Sequence, residues 1–213
     1  MTARLAALRL LILLPLLLLP LLAAAQSAPV EGVDYVRIDD GRPWRPEPGT
    51  VEVAEVFAYP CHHCARFGPM LAEWSRRAGT DVRVRHVPAA YSPGDAYARA
   101  WFALEALGET RLHLRVFDAI HREGSLPGHG ATVAELANFL AGEGLDAGRV
   151  RAAMTSPATD ERMNAARDFA VRSAIQGTPT LIINGRWRVQ ARSLPDALRI
   201  AEGLVAMERA VAR

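Results

Sequence analysis

Residues 58–67 read Ala58-Tyr59-Pro60-Cys61-His62-His63-Cys64-Ala65-Arg66-Phe67. They contain both cysteines of the 213-residue chain, in a Cys-x-x-Cys spacing. The stretch follows an apolar run typical of a strand and precedes a run typical of a helix. We therefore expect Cys61 at the start of a helix, where backbone N–H groups lack partners and the helix dipole is positive.

This placement predicts different roles for the two cysteines. The helix start favours the thiolate of Cys61, which is the predicted nucleophile. Cys64 lies one turn further into the helix and nearer the core, so it would attack a mixed disulfide at Cys61 and release the partner. An imidazole of His62 or His63 beside a thiolate can lower the pKa of the thiol, which stabilises the reduced form and makes the disulfide more oxidising. The motif therefore indicates an oxidant.

Two structural interpretations of the same motif stay open. Zinc binds both cysteine and histidine, but four consecutive residues cannot surround one ion. The other histidines show no paired ligand spacing: His86, His113, His121 and His129. Three of them lie in or beside predicted helices and are interpreted as surface or packing residues: His113, His121 and His129. A purely structural disulfide would close only a two-residue loop, which removes little chain entropy.

The N-terminal residues predict export. Two arginines flank the start of a leucine-rich run at residues 10–22, and small residues follow up to Ala25. This pattern is typical of a signal peptide, which we place at residues 1–25. An uncleaved membrane anchor is the alternative, against which Pro15 and Pro20 argue. An exported chain meets an oxidising compartment, where a Cys-x-x-Cys pair can exist as a disulfide.

The charge of the mature chain bears on its possible partners. The formal net charge is +2, and cleavage after Ala25 removes Arg4 and Arg9 but no acidic residue. The mature chain is therefore nearly neutral, and its composition gives no support for nucleic-acid binding. Residues 26–213 are enough for one domain with a full core.

Hydrophobic patterns predict three strands before the middle of the chain and a hairpin near its end. The predicted strands cover residues 35–38, 51–58 and 81–87, with a helix at 62–78 and helices throughout 95–175. Asn184-Gly185 is a strong two-residue turn signal within a hairpin at 176–189, and a closing helix starts at Ser193. The helix after Cys61 has four apolar side chains at helical spacing, which we interpret as core and not as a binding site: Phe67, Met70, Leu71 and Trp74.

Glu55 is unusual because it lies in an otherwise apolar strand. If it shares a face with Val53 and Phe57, its carboxylate points into or under the core. There it could take the proton of Cys64 when the disulfide is reduced or reformed. The alternative is a solvated strand glutamate, which is what we expect of Glu52.

The order of these features resembles the bacterial DsbA family of thiol:disulfide interchange proteins, in the thioredoxin-like superfamily. The shared features are the cysteine pair on a helix start, the carboxylate six residues before it, the histidine before the second cysteine and the Thr-Pro hairpin. The resemblance covers the chain from about Tyr35 to its end. It implies an α/β, thioredoxin-like fold at residues 26–213, with a mainly helical insertion at about 90–157.

The resemblance also implies roles for individual residues. Pro179 matches a cis-proline that packs against the active-site disulfide and binds extended substrate peptide, and Thr178 would supply part of that edge. Glu55 matches the buried acid of the family. Two positions depart from its best-known members: His62 stands where they have proline, and the threonine before the cis-proline is shared with disulfide isomerases.

These observations predict a periplasmic enzyme that donates its Cys61–Cys64 disulfide to exported proteins with free thiols. We expect it to be a monomer, to bind no cofactor besides this disulfide, and to be reoxidised by a quinone-linked membrane partner resembling DsbB. A disulfide isomerase or reductase is the alternative within the superfamily. A zinc-binding or disulfide-stapled binding module is the alternative from another class.

Overall fold

The computed structural model describes residues 28–211, which are built around a five-stranded mixed sheet. The strands are Tyr35–Arg37 (β1), Val51–Phe57 (β2), Val82–Pro88 (β3), Thr180–Ile183 (β4) and Trp187–Val189 (β5). Their order across the sheet is β1-β5-β4-β2-β3, with β2 parallel to β3 and antiparallel to β4. The strands expected from the sequence are therefore present, and β1 is an edge strand.

Seven α-helices accompany the sheet in the described part of the chain. They are His62–Arg77 (α1), Ala96–Leu107 (α2), His113–His121 (α3), Val133–Gly142 (α4), Ala147–Met154 (α5), Pro157–Arg172 (α6) and Leu194–Val211 (α7). A short 3₁₀ turn, Thr110–Leu112, leads into α3. Helices α2 to α6 lie between β3 and β4 in the sequence. Helices α2 to α5 fall within the mainly helical insertion expected at about 90–157, and α6 begins at its end. The limits of the insertion stay a prediction.

The helix boundaries follow from local capping. The side chain of Asp95 accepts the N–H of Ala98 at the start of α2, and Thr132 and Glu135 form a capping box at the start of α4. Within the helical region at 95–175, the sequence predicts the last helix at 159–175, but α6 begins at Pro157 and ends at Arg172. Its earlier start has a physical cause, because Ser156 caps the helix and proline is well suited to the first turn.

Strand β2 is buried along its whole length because helices cover both faces of the sheet. One hydrophobic cluster joins Val53 of β2 to α1 and α7, and another joins Ala54 and Val56 to the helices of the insertion. All seven positions of β2 are buried. The chain leaves this strand at Phe57 and enters α1 five residues later, which places the cysteine motif just beyond the C-terminal end of the buried strand.

The β4–β5 hairpin has the turn that Asn-Gly predicts. Asn184 and Gly185 both have positive φ, 48° and 68°. Ile183 pairs with Trp187, so three residues separate the paired strands and the loop is one residue longer than a two-residue turn. The peptide bond between Thr178 and Pro179, just before β4, is cis as the resemblance implied.

Glu52 is not solvated, so that expectation is wrong. The residue is only 2% exposed, and its carboxylate accepts the N–H groups of Trp44 at 2.6 Å and Arg45 at 2.7 Å. Burial raises the pKa of Glu52, which these two backbone bonds oppose. The proline-rich connection at 42–49 folds over the strand and supplies the donors, which an alternation pattern within the strand could not show.

Within residues 28–211, no helix combines the length and the apolar character needed to cross a bilayer. The predicted signal peptide, residues 1–25, lies outside the described residues.

Candidate active site

Cys61 caps the N-terminus of α1, as its position in the sequence predicts. Its backbone is extended, and its sulfur accepts the N–H of Cys64 at 3.4 Å. Its own N–H donates to the carbonyl of Ala58 in the turn that leaves β2. Both cysteines are free thiols, so the structure describes the reduced form.

The surroundings of Cys61 lower the pKa of its thiol from 9.0 to about 5. The largest cause is a hydrogen bond with the side chain of Cys64, and the side chain of Thr178 and the N–H groups of Cys64 and His63 add to it. Partial burial opposes the shift. The Thr178 carbonyl, 3.2 Å from Cys61 Sγ, also opposes it, because it accepts the thiol proton. The balance leaves Cys61 as a thiolate at neutral pH.

Cys64 is held in the opposite state. It is fully buried, and the pKa of its thiol is raised well above the usual value. Its hydrogen bond to Cys61 is the largest cause, followed by burial and by the negative charge of Glu55. The reduced site therefore pairs a half-buried thiolate with a buried, protonated thiol.

His62 and His63 lie exposed on the first turn of α1, with ring centroids 3.9 Å apart. The N–H of His63 helps to lower the pKa of Cys61. In the described part of the chain, no hydrogen bond joins either imidazole to Cys61. The predicted influence of the imidazole rings on this thiol therefore stays a prediction.

A groove of about 870 Å³ runs beside the cysteine motif. One side is formed by α1, and the other by Thr178 to Leu181 and by the segment from Arg188 to Leu194. Met70 lines this groove and is only half-buried, so its assignment to the core is wrong. Phe67, Leu71 and Trp74 are buried as predicted. The site thus combines the nucleophile, the cis-proline loop and an adjacent open groove.

Glu55 is buried in the core, as predicted, and is not a solvated strand glutamate. It is 0% exposed, and its Oε2 lies 2.7 Å from Nδ1 of His86. Its other oxygen, Oε1, is buried without a hydrogen-bond partner among the described residues. The carboxylate acts on Cys64 through its charge. Its predicted proton exchange with that thiol stays a prediction.

A buried tyrosine and two histidines extend from this region into the helical insertion. Nδ1 of His113 lies 3.0 Å from the hydroxyl of Tyr59, and Nε2 of His121 lies 2.7 Å from the Tyr59 carbonyl. The rings of Phe57, Trp101 and His86 pack around His113. These contacts support the interpretation of His113 as a packing residue. Sequence reasoning missed the group because its members lie in separate elements.

The structure gives no support for a metal site at the cysteine motif. Within residues 28–211, the group of three side chains close enough to share an ion is Glu55, His86 and His113, whose ligand atoms lie within 4.8 Å of one another. This group excludes both cysteines. Glu55 and His86 already bond to each other, so their proximity has an explanation without an ion, and we do not assign them as ligands.

A nucleophilic thiolate, a second thiol one turn away and a nearby acid are sufficient for thiol–disulfide exchange. The thiolate of Cys61 can attack a disulfide or, once Cys61 is oxidised, its sulfur can be attacked by an incoming thiolate. The groove gives space for the chain that carries the partner sulfur.

Comparisons with known proteins find clear relatives of this chain. Residues 52–202 match the family model of the DSBA-like thioredoxin domain. The chain is 34% identical over 168 residues to the thiol:disulfide interchange protein DsbA of Azotobacter vinelandii, covering 76% of this chain and 77% of that protein. It is 33% identical over 187 residues to the protein of the same name from Pseudomonas aeruginosa, covering 85% and 87%.

Solved structures give the same result. The oxidoreductase DsbA from Xylella fastidiosa superposes with a TM-score of 0.83 at 43% identity, covering 86% of this chain and 99% of that one. The DsbA of Pseudomonas aeruginosa superposes with a TM-score of 0.77 at 33% identity, covering 85% and 95%. The described fold is therefore that of known DsbA oxidoreductases.

Proposed function

The chain belongs to the DSBA-like thioredoxin domain family and is a thiol:disulfide oxidoreductase, and from this premise we propose that it donates its Cys61–Cys64 disulfide to exported proteins during oxidative folding. The observation that supports this direction is the low pKa of Cys61, about 5. A thiolate that is stable at neutral pH stabilises the reduced form, so the disulfide is readily passed to a substrate.

The proposed reaction has two exchange steps. A substrate thiolate attacks Cys61 Sγ, the Cys61–Cys64 bond breaks, and Cys64 leaves as a thiolate that takes a proton from Glu55. A second substrate thiolate then attacks the substrate sulfur of the mixed disulfide, and Cys61 leaves as its stable thiolate. The products are a substrate disulfide and a reduced enzyme, and the substrate loses two electrons. In reoxidation, Cys64 is the resolving thiol and returns its proton to Glu55.

The cis-proline loop is the proposed substrate-binding edge. Thr178 and Pro179 line the groove beside Cys61, and the backbone of Thr178 is in contact with its sulfur. An extended peptide bound there would present its own cysteine to Cys61. His62 and His63, at the mouth of the site, are proposed to tune the potential of the pair.

We further propose export to the periplasm by cleavage of residues 1–25, and reoxidation by a membrane protein resembling DsbB. The chain would act as a monomer on unfolded or folding proteins, with the dithiol as its redox group. The threonine before the cis-proline, shared with isomerases, keeps an isomerase or reductase as the second candidate.

Equilibration with glutathione tests the direction. The ratio of reduced to oxidised protein is measured in buffers of known glutathione potential, with a Cys64→Ser variant as the control that cannot form the pair. The proposal predicts a potential nearer to about −120 mV, the value of a strong oxidant, than to about −270 mV, the value of thioredoxin. A value in the thioredoxin range would identify a reductase instead.

A further inference from the structure

A fully buried acid that gains and loses a proton needs a route to water. Among the described residues, His86 is the hydrogen-bond partner of the Glu55 carboxylate. His86 is opposite Glu55 in the parallel register of β2 and β3. Its Nδ1 lies 2.7 Å from Glu55 Oε2, and its side chain is 25% exposed whereas that of Glu55 is 1% exposed. The imidazole therefore spans the distance between the buried carboxylate and solvent.

We propose that His86 exchanges protons with solvent in step with the redox state of the Cys61–Cys64 pair, and so keeps the buried Glu55–His86 pair neutral. This inference rests on the proposed function, in which Glu55 exchanges a proton with Cys64. Among the described residues, His86 makes no hydrogen bond to the sulfur of either cysteine. It is a positioning and proton-exchange residue that acts through Glu55.

The proposed cycle balances at each atom. In the oxidised enzyme, Glu55 is a carboxylic acid and His86 is neutral, with Nδ1–H donating to Oε2. When the disulfide is reduced, the departing Cys64 thiolate takes the proton of Glu55, for which the unpartnered Oε1 is available. His86 then takes a proton from water at Nε2, which leaves a carboxylate beside an imidazolium. Reoxidation reverses both transfers.

The physical reason for this coupling is the cost of a lone buried charge. A buried carboxylate without a counter-ion is strongly unfavourable, and a paired one much less so. With His86 changing charge, the pair has zero net charge in both redox states. Without it, each reduction would leave an uncompensated anion beneath the thiolate of Cys61.

The other groups around His86 do not supply this charge. His113 faces it from α3, with ring centroids 4.4 Å apart, but burial lowers the pKa of His113 well below its usual value and keeps it neutral. Phe57 and Trp101 contribute uncharged rings. On the same strand, the guanidinium of Arg85 bonds to Glu47 instead. Among the described residues facing it, Glu55 is therefore the partner that can exchange a proton with His86.

Nuclear magnetic resonance of the histidine rings tests the inference on the wild-type mature protein. The nitrogen-15 shifts of the His86 ring are recorded at pH 7 in the reduced and oxidised forms, and are assigned by their loss in His86→Asn. The inference predicts an imidazolium in the reduced form and a neutral ring in the oxidised form, with exposed His129 as the control whose charge state does not change. The same charge state of His86 in both forms would overturn it.

Kinetics give a second test. Asparagine at position 86 can keep an N–H donor near Glu55 but cannot carry the charge. His86→Asn should therefore slow reduction of the disulfide by a dithiol peptide about tenfold, which is less than the roughly 10²–10⁴-fold typical for loss of a direct proton donor, because Glu55 remains. His129→Asn should leave the rate unchanged. In a Glu55→Gln background, His86→Asn should add no further loss, because both residues act in one transfer.

The outcomes separate this inference from the proposed function. A wild-type protein that does not oxidise the peptide would remove the proposed function itself. A wild-type protein that oxidises the peptide, with His86→Asn equally fast, would leave the proposed function intact and exclude the role of His86. If His86→Asn does not fold, the His86 ring is assigned in the wild-type protein by through-bond correlation to its own backbone, and its shifts still decide the matter.

Discussion

At the scale of single residues, the site works because two thiols three positions apart occupy opposite environments. Cys61 lies at the helix N-terminus, where N–H groups point at its sulfur, and Cys64 lies in the core. Each also shifts the other, because the hydrogen bond between them is the largest cause of both pKa shifts. One proton is therefore shared unequally, and it stays on the buried sulfur.

Replacement of Cys64 tests this shared proton. In Cys64→Ala the donor is lost, so the pKa of Cys61 should rise from about 5 toward its usual value of 9.0. In the matched variant Cys64→Ser a hydroxyl donor remains, so the rise should be smaller. Thiolate absorbance at 240 nm during a pH titration measures both. Identical titrations of the two variants would show that the donor at position 64 does not control Cys61.

Single residues were predictable where the signal was local. The cysteine spacing and the helix start identify Cys61 and Cys64, and the period of two in the strand identifies buried Glu55. The partnership of Glu55 with His86 depends on the register of two strands 31 residues apart in sequence. No local pattern within one strand contains that register. Glu52 was expected to be solvated for a similar reason, because the N–H groups that bind its carboxylate come from the connection at 42–49, outside the strand.

At the scale of elements, the hairpin that follows the cis-proline loop is attached to the last helix by one buried acid. Glu208 of α7 is 6% exposed and accepts hydrogen bonds from Asn184 at 2.6 Å and from Trp187 at 2.5 Å. Arg186 donates to both of its oxygens. These bonds lower the pKa of Glu208 although burial, the largest single influence, acts to raise it. The β4–β5 turn is thereby fixed relative to α7.

Removal of this charge should loosen the hairpin. Glu208→Gln keeps the shape but cannot satisfy three donors and loses its attraction to Arg186, so unfolding should require about 1–3 kcal/mol less free energy. Glu202→Gln, on an exposed position of the same helix, is the control and should change stability little. Urea denaturation followed by circular dichroism measures the difference. Equal midpoints for the two variants would contradict the role assigned to Glu208.

Elements were predicted well where caps and turns are encoded in neighbouring residues. The capping box at Thr132 and the turn at Asn184-Gly185 are examples, and both are present. The start of α6 and the position of Met70 were predicted less well. The predicted start of α6 at 159 omits Pro157, which begins the helix, and Ser156, which caps it. The groove beside Met70 exists only when separate parts of the chain come together.

At the scale of the whole molecule, the redox state and the stability of the fold are linked through Cys61. The reduced form contains a thiol whose folded pKa is about 5, below its usual value of 9.0. Folding of the reduced form is therefore favoured at pH values where Cys61 is a thiolate in the folded state and a thiol in the unfolded state. The oxidised form has no such group.

This linkage gives a pH dependence with a definite sign. The contribution of Cys61 to the stability of the reduced form should be fully present above about pH 9 and should be lost as the pH falls through about 5. The difference in unfolding free energy, reduced minus oxidised, should therefore decrease steadily from pH 9 to pH 5. Denaturant titrations of both forms at several pH values measure it. A difference that does not change with pH would contradict the linkage.

The most direct test of the account is a titration of the reduced wild-type protein followed at 240 nm, where thiolates absorb. Cys64 stays protonated across the acid range, so the transition there reports Cys61 alone. A single transition is expected, with a midpoint near pH 5. A midpoint near 9, the usual value for a cysteine, would contradict the proposal that this protein is a disulfide donor.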